Sequence, residues 1–131
     1  MNKRSVNPTP WLQEFGINHG VEVTGAQRTL YLSGQTSTSA DGTPLHENDM
    51  VAQFTYAWQN LVDALNEAGM DPSNIVRLNL YTTDVDAIMG SAEQLFGMIS
   101  DSGCQPCSTL LGVDKLYHPA IMIEMEATAV A

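Results

Sequence analysis

Basic residues are what this chain has least of. Five Lys and Arg stand against fifteen Asp and Glu, for a formal net charge of −10. Two of the five, Lys3 and Arg4, lie at the N-terminus, which leaves Arg28, Arg77 and Lys115 for the rest of the chain. Affinity for nucleic acid comes largely from phosphate neutralisation by clustered Lys and Arg, so this composition argues against an RNA or DNA partner. It argues equally against an anionic membrane surface. Long apolar runs are missing as well, and nothing approaches the roughly 20 residues of a membrane-spanning helix. The basic first residues are not followed by the apolar stretch of a secretory leader, so a cytoplasmic location is expected. Cysteine is limited to Cys104 and Cys107, and the three histidines, His19, His46 and His118, lack the paired spacing of a zinc site. No metal and no cofactor are expected. Ser33-Gly34-Gln35 lacks both the spacing and the Lys of a phosphate-binding loop.

What is present is the pattern of one domain. The 131 residues are 44% hydrophobic, enough to build a core in a single unit spanning 1–131. Residues 1–14, with Pro8, Pro10 and Trp11, read as an extended arm. Val21 and Val23 suggest a first strand, Thr24 to Arg28 a hairpin turn, and Leu30 and Leu32 a second strand ending at Gly34. A helix follows from an N-cap at Asn48 or Asp49. Its apolar residues Met50, Val51, Phe54, Trp58, Leu61, Val62 and Leu65 recur at three- and four-residue steps, and Gly69 closes it. Val76, Leu78 and Leu80 alternate with Arg77, Asn79 and Tyr81 in a strand, and a second helix is predicted from about Asp86 to Ser100. Two strands close the chain, one within Cys104–Val113 and one over Ile121–Ala127. In the last, Ile121, Ile123, Met125 and Ala127 alternate with Met122, Glu124 and Glu126.

The order β-β-α-β-α-β-β gives an α+β domain in which two helices cover one face of one mixed sheet. The other face would carry Tyr31, Ser33, Arg77, Asn79, Tyr81, Glu124 and Glu126. Two carboxylates on one strand face need partners or water. A homo-oligomer packing these faces together, with ligand sites at the seams, accounts for the mixture.

Four segments carry a family resemblance: Tyr31-Leu32-Ser33-Gly34-Gln35; the helix with Gln53, Asn60-Leu61, Leu65 and Ala68-Gly69; Tyr81-Thr82-Thr83-Asp84; and Ile123-Glu124-Met125-Glu126-Ala127. In that order, across about residues 15–130, the chain resembles the Rid family, the YjgF-type reactive-intermediate deaminases also called L-PSP endoribonucleases. The resemblance implies a chorismate-mutase-like fold and a homotrimer with three small-molecule clefts between subunits. It implies hydrolysis of enamines or imines such as 2-aminoacrylate. In the family an Arg holds the substrate carboxylate, a Glu on the last strand helps activate water, and a Tyr, a Ser and an Asn line the rest. Here the Ser corresponds to Ser33 and the Glu to Glu124, whereas the Arg position falls on Cys107, the Tyr position on Ile17 and the Asn position on Ala92. Cys can supply neither the affinity nor the orientation of a bidentate guanidinium, so a neutral or cationic ligand is expected in place of an anionic imino acid.

Glu124 therefore reads as a general base toward water, as one end of an ion pair with Arg77, or as a carboxylate satisfied by backbone N–H groups at an interface. Cys107 reads as a cleft-lining thiol, or as a nucleophile if the fold brings a base to it. Cys104-Gln105-Pro106-Cys107 has the spacing of a redox pair but follows a helix and leads into a strand, the reverse of a thioredoxin-type site. Ser33 and Ser108 are expected as hydrogen-bonding groups. A non-catalytic trimer binding a metabolite or a protein is the competing reading, and RNA cleavage a third.

Overall fold

In the computed structural model, which describes residues 1–131, the elements run β1 (Asn2–Val6), a 3-10 turn (Trp11–Phe15), β2 (Gly20–Thr24), β3 (Thr29–Gln35), α1 (Met50–Glu67), β4 (Ile75–Thr82), α2 (Val85–Met89), α3 (Ala92–Asp101), β5 (Cys107–Gly112) and β6 (Ile123–Val130). The main sheet has the order β3-β6-β4-β5. It is mixed, with β4 and β5 parallel and the other pairs antiparallel. The alternation read from the sequence decides which side chains go where. Leu78 and Leu80 of β4 and Ile123, Met125 and Ala127 of β6 turn to the helices, where they meet Phe54, Leu61 and Leu65 of α1 with Ile88 and Leu95. Each large apolar side chain so buried stabilises the fold by roughly 1.5–3 kcal/mol.

The longest helix starts and stops where its sequence says. The Asp49 carboxylate accepts from the Ala52 N–H at 3.0 Å, and Gly69 takes the left-handed conformation (φ +72°) just past the end. The second helix differs from expectation. It is broken into α2 and α3 at Gly90-Ser91, a pair of poor helix formers of which Gly90 ends one segment and Ser91 precedes the next without a side-chain capping bond. Three helices therefore lie over the sheet where two were expected.

The expected hairpin between the first two hydrophobic strands does not form. β2 pairs instead with β1, and β3 pairs with β6. Period-2 patterning identifies a strand but not its partner, and β1 carries no apolar alternation to announce it. Across that pair Arg4 lies opposite Glu22 and donates to both carboxylate oxygens at 3.1 Å, an exposed ion pair that adds modestly to the strand contact. The stretch 1–14 is thus a strand and the start of a 3-10 turn rather than a bare extended arm.

Gln53 is wholly buried, and its amide clamps α1 to the chain entering β6. It donates to the Ala120 carbonyl at 2.6 Å and accepts from the Met122 N–H at 2.8 Å. Gln53→Ala strands both backbone groups in the core. With about 1–3 kcal/mol for each group left unpaired, we expect a loss of roughly 2–6 kcal/mol, read from chemical denaturation.

Candidate functional site

One face of the sheet has no helix over it. Strand alternation places on it Tyr31 and Ser33 from β3, Glu124, Glu126 and Thr128 from β6, Arg77, Asn79 and Tyr81 from β4, and Cys107 and Thr109 from β5. Tyr31 is 79% exposed. The Oδ1 atom of Asn79, in the middle of the face, is buried without any hydrogen-bond partner.

Glu124 occupies one end. The register steps between Leu32 and Gln35 against β6, giving a bulge that contains Ser33 and Gly34. The bulge lets the backbone pass under the Glu124 side chain so closely that a Cβ on Gly34 would lie 2.4 Å from Oε1. Burial pushes the Glu124 carboxyl above the ordinary range, helped by the neighbouring charge of Glu126, and no protein hydrogen bond opposes the shift. Glu126 is committed differently: its Oε1 accepts from the Tyr81 hydroxyl at 2.7 Å and from Asn79 Nδ2 at 3.3 Å. That bond, with burial, raises the Tyr81 phenol above its usual value. The alternative of a Glu124–Arg77 ion pair fails on register. Glu124 lies opposite Tyr81 and Arg77 opposite Thr128, four residues along β6 and about 13 Å away.

Cys107 occupies the other end, on edge strand β5. Its thiol donates to the Val76 carbonyl at 3.2 Å. The guanidinium of Arg77, the residue beside it in register, reaches its sulfur at 3.5 Å through Nη1 and Thr109 Oγ1 at 3.4 Å through Nη2. The three histidines are engaged elsewhere: His19 with Thr9, His46 with Ser37, and His118 with the Ala120 N–H. Cys104 is fully enclosed and its thiol is pushed up to about 12 by burial, so at neutral pH it offers no thiolate for exchange with Cys107. No three His, Cys, Asp or Glu side chains converge as metal ligands.

The remaining sequence-predicted residues lie on the helix side of β5. Asn18 bridges to Cys107, its N–H bonding the Pro106 carbonyl at 2.9 Å, and this holds Ile17 against the edge strand. Ile17 and Ser108 line an apolar cavity of about 240 Å³ whose walls include Phe15, Leu80 and Phe96. Ser108 Oγ is spent on the Leu78 carbonyl at 2.5 Å. Ala92 lines an adjoining hollow that shares Phe15, Gly16 and Phe96. Within one chain the candidates therefore fall into three groups: Ser33 with Glu124 at one end of the open face, Cys107 at its other end, and Ile17, Ser108 and Ala92 on the helix side of β5. Two strand spacings and four residues separate Glu124 from Cys107, on the order of 16 Å.

In the sequence Gln53 and Asn60 stand only as part of the family pattern, without the role of holding these groups in place that the fold gives them. Asn60 donates to the carbonyls of Thr36 and Thr38 at 2.9 and 3.1 Å, fixing the chain that leaves β3. With Gln53 at the entry to β6, it anchors both strands that carry the Glu124 end. Polar residues within an apolar helical stripe were the available signal.

The sequence pattern of the endoribonuclease L-PSP family matches residues 15–131. A RutC family protein of Aquifex aeolicus is 29% identical over 113 residues, covering 86% of each chain. The crystal structure of YyfB from Yersinia pestis, a protein of unknown function in the conserved Rid family, superposes with a TM-score of 0.89 at 31% identity over the full length of both chains. A putative endoribonuclease of Thermotoga maritima shares the fold, with a TM-score of 0.69 at 21% identity over 87% of this chain and 85% of its own. No helix is long and apolar enough to cross a membrane.

Proposed function

The chain belongs to the endoribonuclease L-PSP family, the Rid or YjgF-type family, and on that premise we propose that it acts as a cytoplasmic homotrimer. Its inter-subunit clefts hydrolyse the C–N bond of a small imine or enamine, with Glu124 as general base. The observation that carries this reading is a half-buried carboxylate with a raised pKa and no protein partner, held on a polar sheet face that nothing covers. A carboxylate so placed is free to take a proton from water. The hydroxide equivalent adds to the imine carbon, the proton passes to nitrogen, and the C–N bond breaks to leave a carbonyl compound and ammonia. An enamine enters the same sequence after tautomerising to the imine.

Assembly supplies what one chain lacks. The Glu124 and Cys107 groups are too far apart to touch one small molecule, whereas packing the β3 edge of one copy on the β5 edge of the next would join them. The uncovered face, with its exposed Tyr31 and its orphaned Asn79 Oδ1, supports the same arrangement. RNA cleavage is the weaker reading, since a net charge of −10 repels phosphate.

The test is ammonia release from freshly generated 2-iminopropanoate together with its neutral analogue 2-iminopropanamide. Turnover of either that disappears with Glu124 supports the reading. A trimer that hydrolyses neither would favour a binding role instead.

Gly34 gives a second, local test. Gly34→Ala must push the Glu124 carboxylate aside, because the new Cβ meets Oε1 at 2.4 Å and Cγ at 2.8 Å. Both residues lie on the solvated side of the sheet, so the melting temperature is expected to stay within a few degrees. A misplaced catalytic group costs ~10²-fold in rate, and kcat/KM is expected to fall by that order.

A further inference from the structure

A cation stands where the family resemblance left none. Arg77 lies on β4 directly beside Cys107 on β5, and its guanidinium reaches over the thiol, at 3.5 Å from Sγ, and toward Thr109, at 3.4 Å from Oγ1. Those are long, weak contacts, and they use two of its five N–H donors. It has no carboxylate partner: the one ion pair in the chain is Arg4 with Glu22. This is notable on a molecule carrying fifteen acidic groups. The nearest acid on the face, Glu126, is instead held by Tyr81 and Asn79. The guanidinium borders both hollows of the uncovered face, one of about 260 Å³ shared with Tyr31, Asn79, Glu126 and Thr128, the other of about 100 Å³ shared with Asn79, Tyr81 and Leu111. An exposed, unpaired guanidinium with free donors in a fork fits a carboxylate in bidentate fashion.

We propose that Arg77 is the carboxylate anchor of this cleft, having taken over from the neighbouring strand the role that position 107 cannot fill with Cys107. The ligands are therefore small 2-imino or 2-enamino carboxylates and the 2-oxo acids they yield. The inference rests on the hydrolase reading for its choice of substrate, but its test does not depend on turnover. The β4–β5 register, by setting the Arg77 guanidinium beside Cys107, favours an anionic ligand over the neutral or cationic one expected from Cys107 alone.

The experiment titrates pyruvate, an unreactive 2-oxo acid, into the assembled protein by calorimetry. It compares the unaltered chain with Arg77→Met and with the double variant Arg77→Met/Cys107→Arg, and follows 2-iminopropanoate hydrolysis in parallel. Arg77 is exposed, so the variants are expected to fold and to keep the same mass in solution. A charge-assisted bidentate contact is worth enough that Arg77→Met should weaken pyruvate binding, and raise KM, by roughly 10- to 100-fold. kcat should change far less, because the anchor makes no contact with the reacting bond. The double variant, which returns the guanidinium from the adjacent strand, should recover most of the affinity, an outcome a merely structural role for Arg77 would not give. Unchanged binding in Arg77→Met, or no binding of pyruvate to the unaltered chain, overturns the assignment. Arg77-dependent binding without any hydrolysis upholds the anchor and overturns the hydrolase reading alone.

Discussion

Glu124→Gln is expected to lower kcat for imine hydrolysis by ~10²–10⁴-fold, the usual contribution of a positioned general base. The substitution keeps the shape and removes the charge, so substrate binding should change little and the loss should fall on kcat. The pH profile provides a sharper reading. Glu124 must be ionised to accept a proton, and burial holds its pKa above the ordinary carboxylate value of 4.5. Activity should therefore rise with pH through that raised pKa and fall away on the acidic side, and the variant should lose this limb. Stability should move the other way. The folded chain holds this proton more tightly than the unfolded one, so the group favours the fold at low pH, and that contribution is lost as pH rises through the folded pKa. At neutral pH the neutral Gln should leave the protein as stable as before or slightly more so, the usual relation between a strained functional group and the fold that carries it. A variant as active as the parent, with the acidic limb intact, would remove Glu124 from the chemistry.

The parts of the fold that follow from periodicity were legible. Alternation placed Leu78, Leu80, Ile123 and Met125 against the helices and Arg77, Asn79, Tyr81, Glu124 and Glu126 on the open face, because side-chain direction along a strand is a local property. Pairing is not local, and there the reading stopped. Nothing in Asn2–Val6 shows that it will pair with β2, and nothing in the spacing of residues 77 and 107 shows that they become neighbours. The same limit hid the division of the candidate site. Glu124 and Cys107 share a face in any strand-by-strand reading, and only the order β3-β6-β4-β5 puts them at opposite ends. Gly34 marks the boundary between the two kinds of information. A Gly inside a strand hints at a bulge or a close approach, but that the approaching group is the Glu124 carboxylate requires the register.

That division makes assembly the second large effect. Tyr31→Glu is expected to yield a monomer in light scattering and to abolish hydrolysis, although neither catalytic group is touched. The Tyr31 ring is 79% exposed in the single chain, so removing it should leave the fold intact. At a closed interface the same ring would be buried, and buried aromatic anchors commonly contribute 2 kcal/mol or more each. A carboxylate in its place would have to be desolvated near Glu126, with which Tyr31 shares a hollow, at a cost of several kcal/mol per ion. Cyclic symmetry repeats the penalty at every seam. Activity should vanish because the Ser33–Glu124 group and the Arg77–Cys107 group then belong to separate molecules, each holding half of a cleft. The informative contrast is with Glu124→Gln, which should be inactive but still assembled. At substrate concentrations well below the KM of Arg77→Met, mixing that inactive trimer with the Arg77→Met variant under conditions of subunit exchange should give a rate above that of either parent, since some seams then receive Glu124 from one parent and Arg77 from the other. Recovery would place the two groups of one cleft on different subunits. A Tyr31→Glu monomer that still hydrolyses imines at the parental rate would instead place the whole reaction within one chain, and the separation of about 16 Å along the sheet would then have to be closed by the substrate itself.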